Sequence, residues 1–228
     1  MATVAEMSRQ STGWYFPVKR GVDVLGATIG GLLASPVLLA AAIAVWLEDR
    51  SAAPFFSQQR IGHGEKSFAL LKLRTMRTQR FDGDRKLTDA ERLLRTGRWF
   101  RKLSIDELPQ LWNVLRGEMS FIGPRPMPIA YLPYFRPEER LRHQVRPGLS
   151  GLAQVSGRNF LSWDDKFALD IEYVENISLS HDAKILLRTV VKLLRPSGVG
   201  VRGEDLPTLS LHEEREPWES TMDRARKG

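Results

Sequence analysis

The chain has 228 residues, which is long enough for one domain of ordinary size plus an extra element. It contains no cysteine, which excludes disulfides, thiolate metal sites and cysteine nucleophiles. The formal net charge of +7 and the pI near 9.9 indicate a polyanionic partner, which can be nucleic acid, anionic lipid or a phosphorylated substrate. The charge is concentrated, because residues 58–116 carry fourteen lysines and arginines against seven acidic residues.

The first predicted element is a membrane helix over residues 19–50. Residues 1–18 are polar and then aromatic, which is typical of a segment at a membrane interface. From Val22 to Leu47 the chain is almost wholly apolar, and this run exceeds the about 20 residues that cross a bilayer. The run is too long and too far from the N-terminus for a cleaved signal peptide.

The Ser35-Pro36 pair decides whether this helix crosses the bilayer or returns. Proline removes a helical hydrogen bond and clashes with the preceding turn, so a kink is predicted in the middle of the run. A transmembrane helix with a kink is one interpretation. A re-entrant helix is favoured because basic residues flank both ends and give no crossing direction. The Ser35 hydroxyl can also bond a carbonyl that Pro36 leaves free.

Two short strands around a glycine turn are predicted between Ala53 and Leu73. The second is predicted over Ser67–Leu73, where Lys72 lies between two leucines and makes one face of the strand basic. His63 lies between two glycines and is interpreted as a surface loop residue.

A polar loop then precedes a predicted amphipathic helix over residues 88–101. Its buried side is predicted to consist of Leu93, Leu94 and Trp99. Its arginines, Arg101 among them, form either a solvated face or a face toward the membrane.

Two adjacent carboxylates at a predicted helix start form the candidate site. Ser104 and Glu107 have the spacing of a capping box, which starts the helix near Ile105. Pro109 prefers the first helical position, so the start is predicted between these limits. Asp106 and Glu107 then lie in or just before the first turn, where the helix dipole favours ionised carboxylates that can act as nucleophile or metal ligand. The alternative is a simple cap, with Asp106 a solvated acid.

The sequence Gly-Pro-Arg-Pro at residues 123–126 argues against the simple cap. Each proline fixes its own φ and restricts the residue before it, so the loop holds Arg125 with little freedom. A rigid guanidinium suits bidentate binding of a phosphate. The sequence therefore favours a functional role for the carboxylate pair.

Downstream of this loop the chain is predicted to be mainly helical. Helices are predicted around residues 137–143, 163–176 and 181–194, the last too short and too charged to span a membrane. Residues 145–158 mix three glycines with two arginines, as in a loop that wraps an anionic group. Residues 204–228 are predicted to form a polar tail that does not pack independently.

Five long motifs follow one another along the chain: KRGVDV before the apolar segment, LLKLRTM, SIDELPQLWNVLRGEMSFIGPRP, VRPGLSGLAQVSGR and LDIEYVENISLSHDAKILLRTV. Together they resemble the bacterial sugar transferase family, the monotopic polyprenyl-phosphate phosphoglycosyl transferases, over about residues 19–203. With one apolar segment, the chain resembles the short members that transfer diacetylbacillosamine-1-phosphate. Larger relatives carry an additional multi-spanning N-terminal region.

This resemblance implies an α/β fold, helix-rich with a small sheet, in which a re-entrant membrane helix over residues 19–50 precedes a catalytic domain over residues 51–203. It implies transfer of a sugar-1-phosphate from a UDP-sugar to undecaprenyl phosphate, with release of UMP. The expected sugar is an N-acetylated amino or diamino sugar, and the expected process is the first membrane step of glycoconjugate biosynthesis. The reaction would be a ping-pong transfer through a covalent phosphosugar-aspartyl intermediate, with Mg²⁺ as cofactor.

The resemblance also implies roles for individual residues. Asp106 is implied as the nucleophile, and Asp106 with Glu107 as the pair that works with Mg²⁺. Ser35-Pro36 is implied as the break of the re-entrant helix. The residues implied to bind substrate or phosphate are Lys72, Arg101, Arg125, Arg158 and Asp182.

The expected partners are the UDP-sugar, undecaprenyl phosphate and membrane lipids, without nucleic acid. The oligomeric state stays open, a dimer included. The expected location is the inner membrane, with the active site on the cytoplasmic face. A membrane-tethered nucleic-acid binder would explain the charge, and a scaffold would explain the apolar segment. Neither explains a carboxylate pair beside Arg125, and no nucleic-acid motif is present in the sequence.

Overall fold

The structure is a computed structural model that describes residues 13–157, 161–194, 210–218 and 220. Over these residues the chain is helix-rich with small two-stranded sheets, as predicted. The helices are α1 (Tyr15–Glu48), α2 (Asp89–Arg92), α3 (Arg95–Lys102), α4 (Gln110–Arg116), α5 (Leu152–Ser156), α6 (Trp163–Glu175), α7 (Leu179–Leu194) and α8 (Leu211–Glu214). The strands are β1 (Phe55–Ile61), β2 (Ser67–Leu73), β3 (Phe81–Asp82), β4 (Arg85–Lys86), β5 (Ser120–Ile122) and β6 (Gly148–Ser150). Short 3₁₀ helices span His63–Glu65, Ile105–Glu107, Ile129–Tyr134 and Glu139–Gln144.

The sheets place Lys72, on β2, and Arg125, just after β5, beside Glu107. β1 and β2 are antiparallel over the whole predicted strand, which confirms Ser67–Leu73 and the turn before it. Phe68 and Leu70 of β2 alternate into the core. β5 and β6 form a short parallel pair, with Ser120 opposite Gly148, directly before the loop over residues 123–126.

α1 covers the predicted membrane segment up to Glu48, and among the described residues it is the one helix whose length and composition are sufficient to cross a membrane. The helix continues through Pro36, so the predicted break affects the hydrogen-bond ladder and does not interrupt the helix. The N–H that Pro36 lacks would have bonded the carbonyl of Leu32. The Ser35 hydroxyl donates to this carbonyl at 2.8 Å and so compensates for the missing bond.

Two charged side chains fix the N-terminal part of α1 to the globular part of the molecule. Asp23 is 2% exposed and accepts hydrogen bonds from Ser120 Oγ and Phe121 N, both at 3.0 Å. Arg20 donates to two carbonyls in the last turn of α4, each at 2.6 Å. A cation is favoured there because the C-terminal end of a helix carries partial negative charge.

The C-terminal end of α1 is fixed to the same globular part. Val45 is fully buried in a core cluster that includes Leu73 of β2. Asp49, just after the helix, pairs with Arg74 at 2.5 Å. Between these ends Leu32 and Leu33 are 70% and 75% exposed. The helix is therefore held at both ends and uncovered in its apolar middle.

The prediction of one helix after the polar loop is wrong. α2 and α3 are separated by two residues in extended conformation, and Leu94 N donates to Thr75 O at 3.0 Å. Leu94 is buried as predicted, but Trp99 is 62% exposed. The close approach explains this orientation, because Gly97 faces Thr75 and a Cβ there would lie 2.2 Å from the Thr75 carbonyl.

Part of the predicted polar tail docks on the domain. Leu211 of α8 is fully buried in a cluster that also contains Phe135 and Phe167. Arg215 donates to the two carboxylate oxygens of Glu139 at 2.9 and 2.8 Å. The sequence analysis did not foresee this docking, because one leucine and one arginine give no periodic signal.

Candidate active site

The carboxylate pair lies on a tight turn between α3 and α4. Ser104 adopts a left-handed conformation with φ of 56°, and the 3₁₀ helix Ile105–Glu107 follows. The predicted capping box is wrong, since the Ser104 side chain makes no capping hydrogen bond and α4 begins later, with Pro109 as its N-cap residue. The pair therefore precedes the α-helix by a turn of its own.

Glu107 is the centre of an ion-pair cluster. Lys72, from β2, donates to Glu107 Oε1 at 3.2 Å, and Arg125 Nη2 donates to the same oxygen at 2.9 Å. Burial opposes the ionisation of Glu107, but Arg125 and Lys72 outweigh it and lower the pKa of Glu107 to about 2. Glu107 is therefore an ionised carboxylate between two cations.

Asp106 has the opposite surroundings. It is 9% exposed, and both ion pairs of the cluster go to Glu107 instead. Burial raises the pKa of Asp106 above its ordinary value and the charge of Glu107 adds to this, while Lys72 and Arg101 act against it. A poorly solvated carboxylate beside a cationic cluster is a stronger nucleophile than a solvated one once it is ionised.

Backbone contacts fix the loop that carries Arg125. Gly123 N donates to Ser150 O and Gly148 N donates to Pro124 O, both at 2.9 Å. The approach is close enough to require glycine, because a Cβ on Gly148 would lie 2.2 Å from Gly123 N. The side chain of Arg125 is 48% exposed, so its guanidinium pairs with Glu107 and also meets solvent. The predicted rigidity of this loop has a structural basis in these contacts.

The structure brings Lys72, Asp106, Glu107 and Arg125 together, with Arg101 close enough to act on Asp106 electrostatically. Arg101 also donates from Nε to Thr75 Oγ1 at 2.9 Å. Arg158 lies outside the residues that the structure describes.

Asp182 is placed elsewhere, at the start of α7. It accepts hydrogen bonds from Lys19 Nζ at 2.6 Å and from the hydroxyls of Tyr15 and Tyr173 at 2.8 Å each. None of these partners contacts the carboxylate pair, so these contacts join α7 to α1. The substrate-binding role of Asp182 stays a prediction beside this structural one.

Sequence reasoning did not identify the buried pair of Arg142 and Asp170, whose closest approach is 2.7 Å. Asp170 shares one face of α6 with Phe167 and Val174, both of which are buried. An acidic residue on the apolar face of a helix is a signal that a buried cation is its partner. The partner itself could not be identified locally, since it is 28 positions away.

The carboxylate pair offers oxygen ligands of the kind that Mg²⁺ prefers. Among the described residues, no three acidic or histidine side chains converge to hold a metal ion. Two carboxylates suffice when a phosphorylated ligand supplies further oxygens, which is the usual arrangement for Mg²⁺. Both ion pairs of Glu107 go to Oε1, so Oε2 and the carboxyl of Asp106 are outside them. The residues present fit a magnesium ion that binds together with a phosphate group.

Comparisons with known proteins extend this description. The profile of the family described as "Bacterial sugar transferase" matches residues 14–196. The chain is 46% identical over 182 residues to "Uncharacterized sugar transferase EpsL" of Bacillus subtilis (strain 168), covering 80% of this chain and 90% of the relative.

Two further relatives are named for their substrates. Over 186 residues the chain is 45% identical to "UDP-glucose:undecaprenyl-phosphate glucose-1-phosphate transferase" of Caulobacter vibrioides, covering 77% of this chain and 69% of the relative. Over 196 residues it is 40% identical to "UDP-N-acetylgalactosamine-undecaprenyl-phosphate N-acetylgalactosaminephosphotransferase" of Aeromonas hydrophila, covering 82% of this chain and 46% of the relative.

Proposed function

Because the chain belongs to the bacterial sugar transferase family, we propose that it transfers a sugar-1-phosphate from a UDP-sugar to undecaprenyl phosphate and releases UMP. The observation that carries the proposal is the buried carboxyl of Asp106 beside the cluster of Lys72, Glu107 and Arg125. Two anionic substrates must meet a carboxylate in this reaction, so cations are needed at the point of contact.

Asp106 is the nucleophile in this proposal. Its carboxylate oxygen attacks the phosphorus that bears the sugar, the bond from this phosphorus to the UMP oxygen breaks, and UMP leaves. An oxygen of undecaprenyl phosphate then attacks the same phosphorus and breaks its bond to Asp106. The product is the undecaprenyl diphosphate sugar, and the carboxylate is regenerated. Support comes from the burial of Asp106 and from its freedom from both ion pairs of the cluster.

Arg125 and Lys72 are proposed to bind the phosphate groups of the substrates. Arg125 presents a half-exposed guanidinium that can hold a phosphate group, and Lys72 on the neighbouring strand adds a second charge. Asp106 and Glu107 would hold Mg²⁺, which supplies charge neutralisation of the diphosphate and of the leaving UMP. Arg158 is proposed to bind substrate on the family resemblance alone.

The experiment that tests this function separates the two half-reactions. Purified protein with a UDP-sugar and Mg²⁺, but without lipid acceptor, should release at most one UMP per active site. Intact-protein mass spectrometry should show a sugar-phosphate adduct on the peptide that contains Asp106. Asp106→Asn keeps the shape of the side chain but lacks an anionic oxygen. The burst of UMP release, the sugar-phosphate adduct and the turnover to lipid product should therefore all disappear.

Asp89→Asn is the matched control, because Asp89 is an acid with a side chain that is 77% exposed, in the first turn of α2. This variant should keep the full burst. Normal turnover by Asp106→Asn, or an adduct on another peptide, would show that Asp106 is not the nucleophile. Absence of UMP release from every UDP-sugar and lipid acceptor would refute the proposed reaction as a whole.

For the sugar we propose the N-acetylated amino or diamino type. The relative from Aeromonas hydrophila supports an N-acetylated sugar, since it is named for N-acetylgalactosamine, whereas that from Caulobacter vibrioides is named for glucose. A panel of UDP-sugars should therefore show the largest UMP burst with an N-acetylated donor. A larger burst with UDP-glucose would overturn this choice and leave the reaction class intact.

We also propose that α1 enters the inner membrane from the cytoplasmic side and returns, without crossing. Both ends of the helix contact the same globular part, through Asp23 at one end and Asp49 at the other, while Leu32 and Leu33 between them are exposed. A helix that crossed the bilayer would place its two ends on opposite sides of about 30 Å of hydrocarbon. One globular domain on one side of the membrane could not hold both ends.

The absence of cysteine makes this topology simple to test. Thr12→Cys and Ser220→Cys, made one at a time, should both be protected from a membrane-impermeant maleimide on intact cells. Both should react after lysis, which controls for access. Labelling of Thr12→Cys alone on intact cells would establish a helix that crosses the membrane.

A further inference from the structure

Three carbonyl groups of the Arg125 loop, residues 123–126, each accept a hydrogen bond from a different surrounding element. The carbonyl of Pro124 accepts from Gly148 N at 2.9 Å, and that of Pro126 accepts from Arg60 Nη1 at 3.2 Å. The carbonyl of Arg125 itself accepts from Arg142 Nη2 at 2.7 Å. Since two of the four residues are prolines without an N–H, the loop depends on these acceptor contacts for its position.

Arg142 is among the most buried side chains that the structure describes, with 1% of its side chain exposed. Its Nε and Nη2 donate to Asp170 Oδ2 at 3.0 and 2.7 Å. Its guanidinium also lies over the rings of Phe135 and Phe167, 5.5 and 5.6 Å from their centroids. Each of these contacts restricts the guanidinium plane, so the Nη2 atom that reaches the Arg125 carbonyl has a fixed position.

We propose that Arg142, held by Asp170, is a positioning residue that places the backbone of Arg125 so that its guanidinium reaches Glu107 and the phosphate of the donor. The proposal rests on the proposed function, because it concerns how the phosphate-binding arginine is held. Arg142 does not touch the substrate in this proposal. It acts through the carbonyl of Arg125, whose side chain contacts the substrate in this proposal.

The competing explanation is a buried ion pair that only holds two elements together. Arg142 lies on the 3₁₀ helix Glu139–Gln144 and Asp170 lies on α6, so their pair joins these elements. The chain offers a matched control for this explanation. Arg215 joins the same two elements through Glu139 and Asp164, and it also lies over Phe167 at 5.4 Å, but its described contacts do not include the Arg125 loop.

Two variants remove the contact in different ways. Arg142→Lys keeps a charge for Asp170, but a lysine lacks the planar fork that reaches Asp170 and the Arg125 carbonyl together. The double variant Arg142→Met with Asp170→Leu replaces the buried ion pair by apolar side chains. Such replacements usually keep the fold, which guards against a variant that simply does not fold. The control is Arg215→Gln.

Hydrogen exchange of the full-length protein in lipid nanodiscs tests the contact without any reference to activity. Amides in peptides over residues 121–127 should exchange about tenfold faster in both Arg142 variants, because the loop loses its charged donor. They should exchange at the natural rate in Arg215→Gln. Unchanged exchange over residues 121–127 in a folded Arg142→Met, Asp170→Leu protein would overturn the proposal.

A double-mutant cycle tests whether Arg142 acts through Arg125. Arg125→Lys keeps charge but loses bidentate geometry, so it should lower activity sharply on its own. Arg142→Lys should lower kcat/KM for the UDP-sugar about tenfold in the natural chain, the scale expected when a binding group is misplaced. In the Arg125→Lys background it should lower kcat/KM less than about twofold, since residues that act through one contact are not additive.

The outcomes separate this proposal from the proposed function. Arg142 would have only a structural role if Arg142→Lys lowered kcat/KM equally in the natural chain and in the Arg125→Lys background. The same conclusion would follow if Arg215→Gln lowered kcat/KM as much as Arg142→Lys does. If the natural chain releases no UMP from any donor, the proposed function fails. In that case the exchange measurement still decides whether Arg142 holds the loop.

Discussion

At the scale of single residues, two neighbouring carboxyls differ because of what surrounds each of them. Glu107 accepts hydrogen bonds from two cations, and its pKa is lowered to about 2 despite its burial. Asp106 is buried without a share in those ion pairs, and its pKa is raised. An ionised carboxylate and a carboxyl with a raised pKa are thus placed side by side on one turn.

Glu107→Gln should impair the use of Mg²⁺ more than it impairs the chemical step. The amide keeps the size of the side chain but removes one of the two carboxylates proposed to hold the ion. We expect the Mg²⁺ concentration that gives half-maximal UMP release to rise about tenfold or more, as is typical when metal coordination is weakened. A magnesium titration of the donor half-reaction measures this.

Glu91→Gln is the control for this variant, because Glu91 is an acid on α2 that pairs with Arg85 away from the site. It should show the natural magnesium dependence. An unchanged magnesium requirement in Glu107→Gln would mean that Glu107 only pairs with Lys72 and Arg125.

Much of the site could be predicted because its residues lie in short, distinctive motifs. The proline-flanked Arg125 and Lys72 on the basic strand face both lie beside Glu107. The capping box at Ser104 did not form, since the chain turns there with positive φ. The contacts of Arg142 and Asp182 could not be predicted, because their partners lie far away in the sequence and the contacts are tertiary.

At the scale of elements, Asp182 joins three helices. It lies at the start of α7 and accepts hydrogen bonds from Lys19 and Tyr15 of α1 and from Tyr173 of α6. The Asp182 and Lys19 side chains are 12% and 14% exposed, so their charges are mostly withdrawn from water. Burial, together with the charge of Asp182, raises the pKa of Tyr173 and keeps it as a hydroxyl that can donate. Asp182 therefore holds the start of α1 against α6 and α7.

Asp182→Asn should destabilise the protein without changing its chemistry. The amide leaves Lys19 without its counter-charge, and breaking a buried pair costs about 3 kcal/mol or more. Thermal unfolding in detergent micelles should therefore show a clearly lowered midpoint. The kcat/KM of the remaining folded protein should stay near the natural value.

Asp84→Asn, at an exposed position beside β4, should leave the unfolding midpoint unchanged. A large rise in KM for the UDP-sugar in Asp182→Asn, with an unchanged midpoint, would contradict the structural role. It would support the prediction that Asp182 binds substrate.

The elements with strong periodicity were predicted best. The strand Ser67–Leu73 and the helices near the C-terminus follow their sequence patterns closely. The helix predicted over residues 88–101 failed, because Leu94 pairs with the backbone of Thr75 and tertiary contact outweighed helix propensity. Pro36 did not interrupt α1, because the Ser35 hydroxyl replaces the missing donor at the Leu32 carbonyl.

At the scale of the whole molecule, a buried histidine connects distant segments. His143 is 5% exposed, and Arg142 Nη1 lies 3.3 Å from its Nε2 while Glu65 Oε1 lies 3.3 Å from its Nδ1. Arginine can only donate, so Nε2 accepts and Nδ1–H donates to Glu65. Burial and the charges of Arg142 and Arg140 lower the pKa of His143 to about 3, so the ring is neutral in the folded protein.

This neutrality predicts how stability depends on pH. The unfolded chain takes up a proton at His143 below its ordinary pKa near 6.5, whereas the folded chain does so only near 3. The free energy of unfolding should therefore fall as the pH is lowered from 6.5 toward 3, by about 2 kcal/mol between pH 7 and pH 5 from this group. Denaturant unfolding in micelles at both pH values measures the loss.

His143→Asn is the comparison, since an asparagine can donate toward Glu65 but does not titrate. The difference in stability between pH 7 and pH 5 should shrink by about the same 2 kcal/mol in this variant. An equal pH dependence in both proteins would assign the acid sensitivity to other groups.

The way in which α1 is fixed has a consequence for how the protein is made. The partners of Asp23 lie 97 and 98 positions later in the chain, and the partner of Tyr15 and Lys19 lies more than 160 positions later. At ribosomal speeds of about 5–20 residues per second, Asp23 waits roughly 5–20 s before its partners have been synthesised. Until then Asp23 lacks the two donors whose hydrogen bonds it accepts in the folded protein. If α1 enters the membrane as proposed, its final depth is therefore set by folding against residues 120–121, after these have been synthesised, and not when the apolar segment leaves the ribosome.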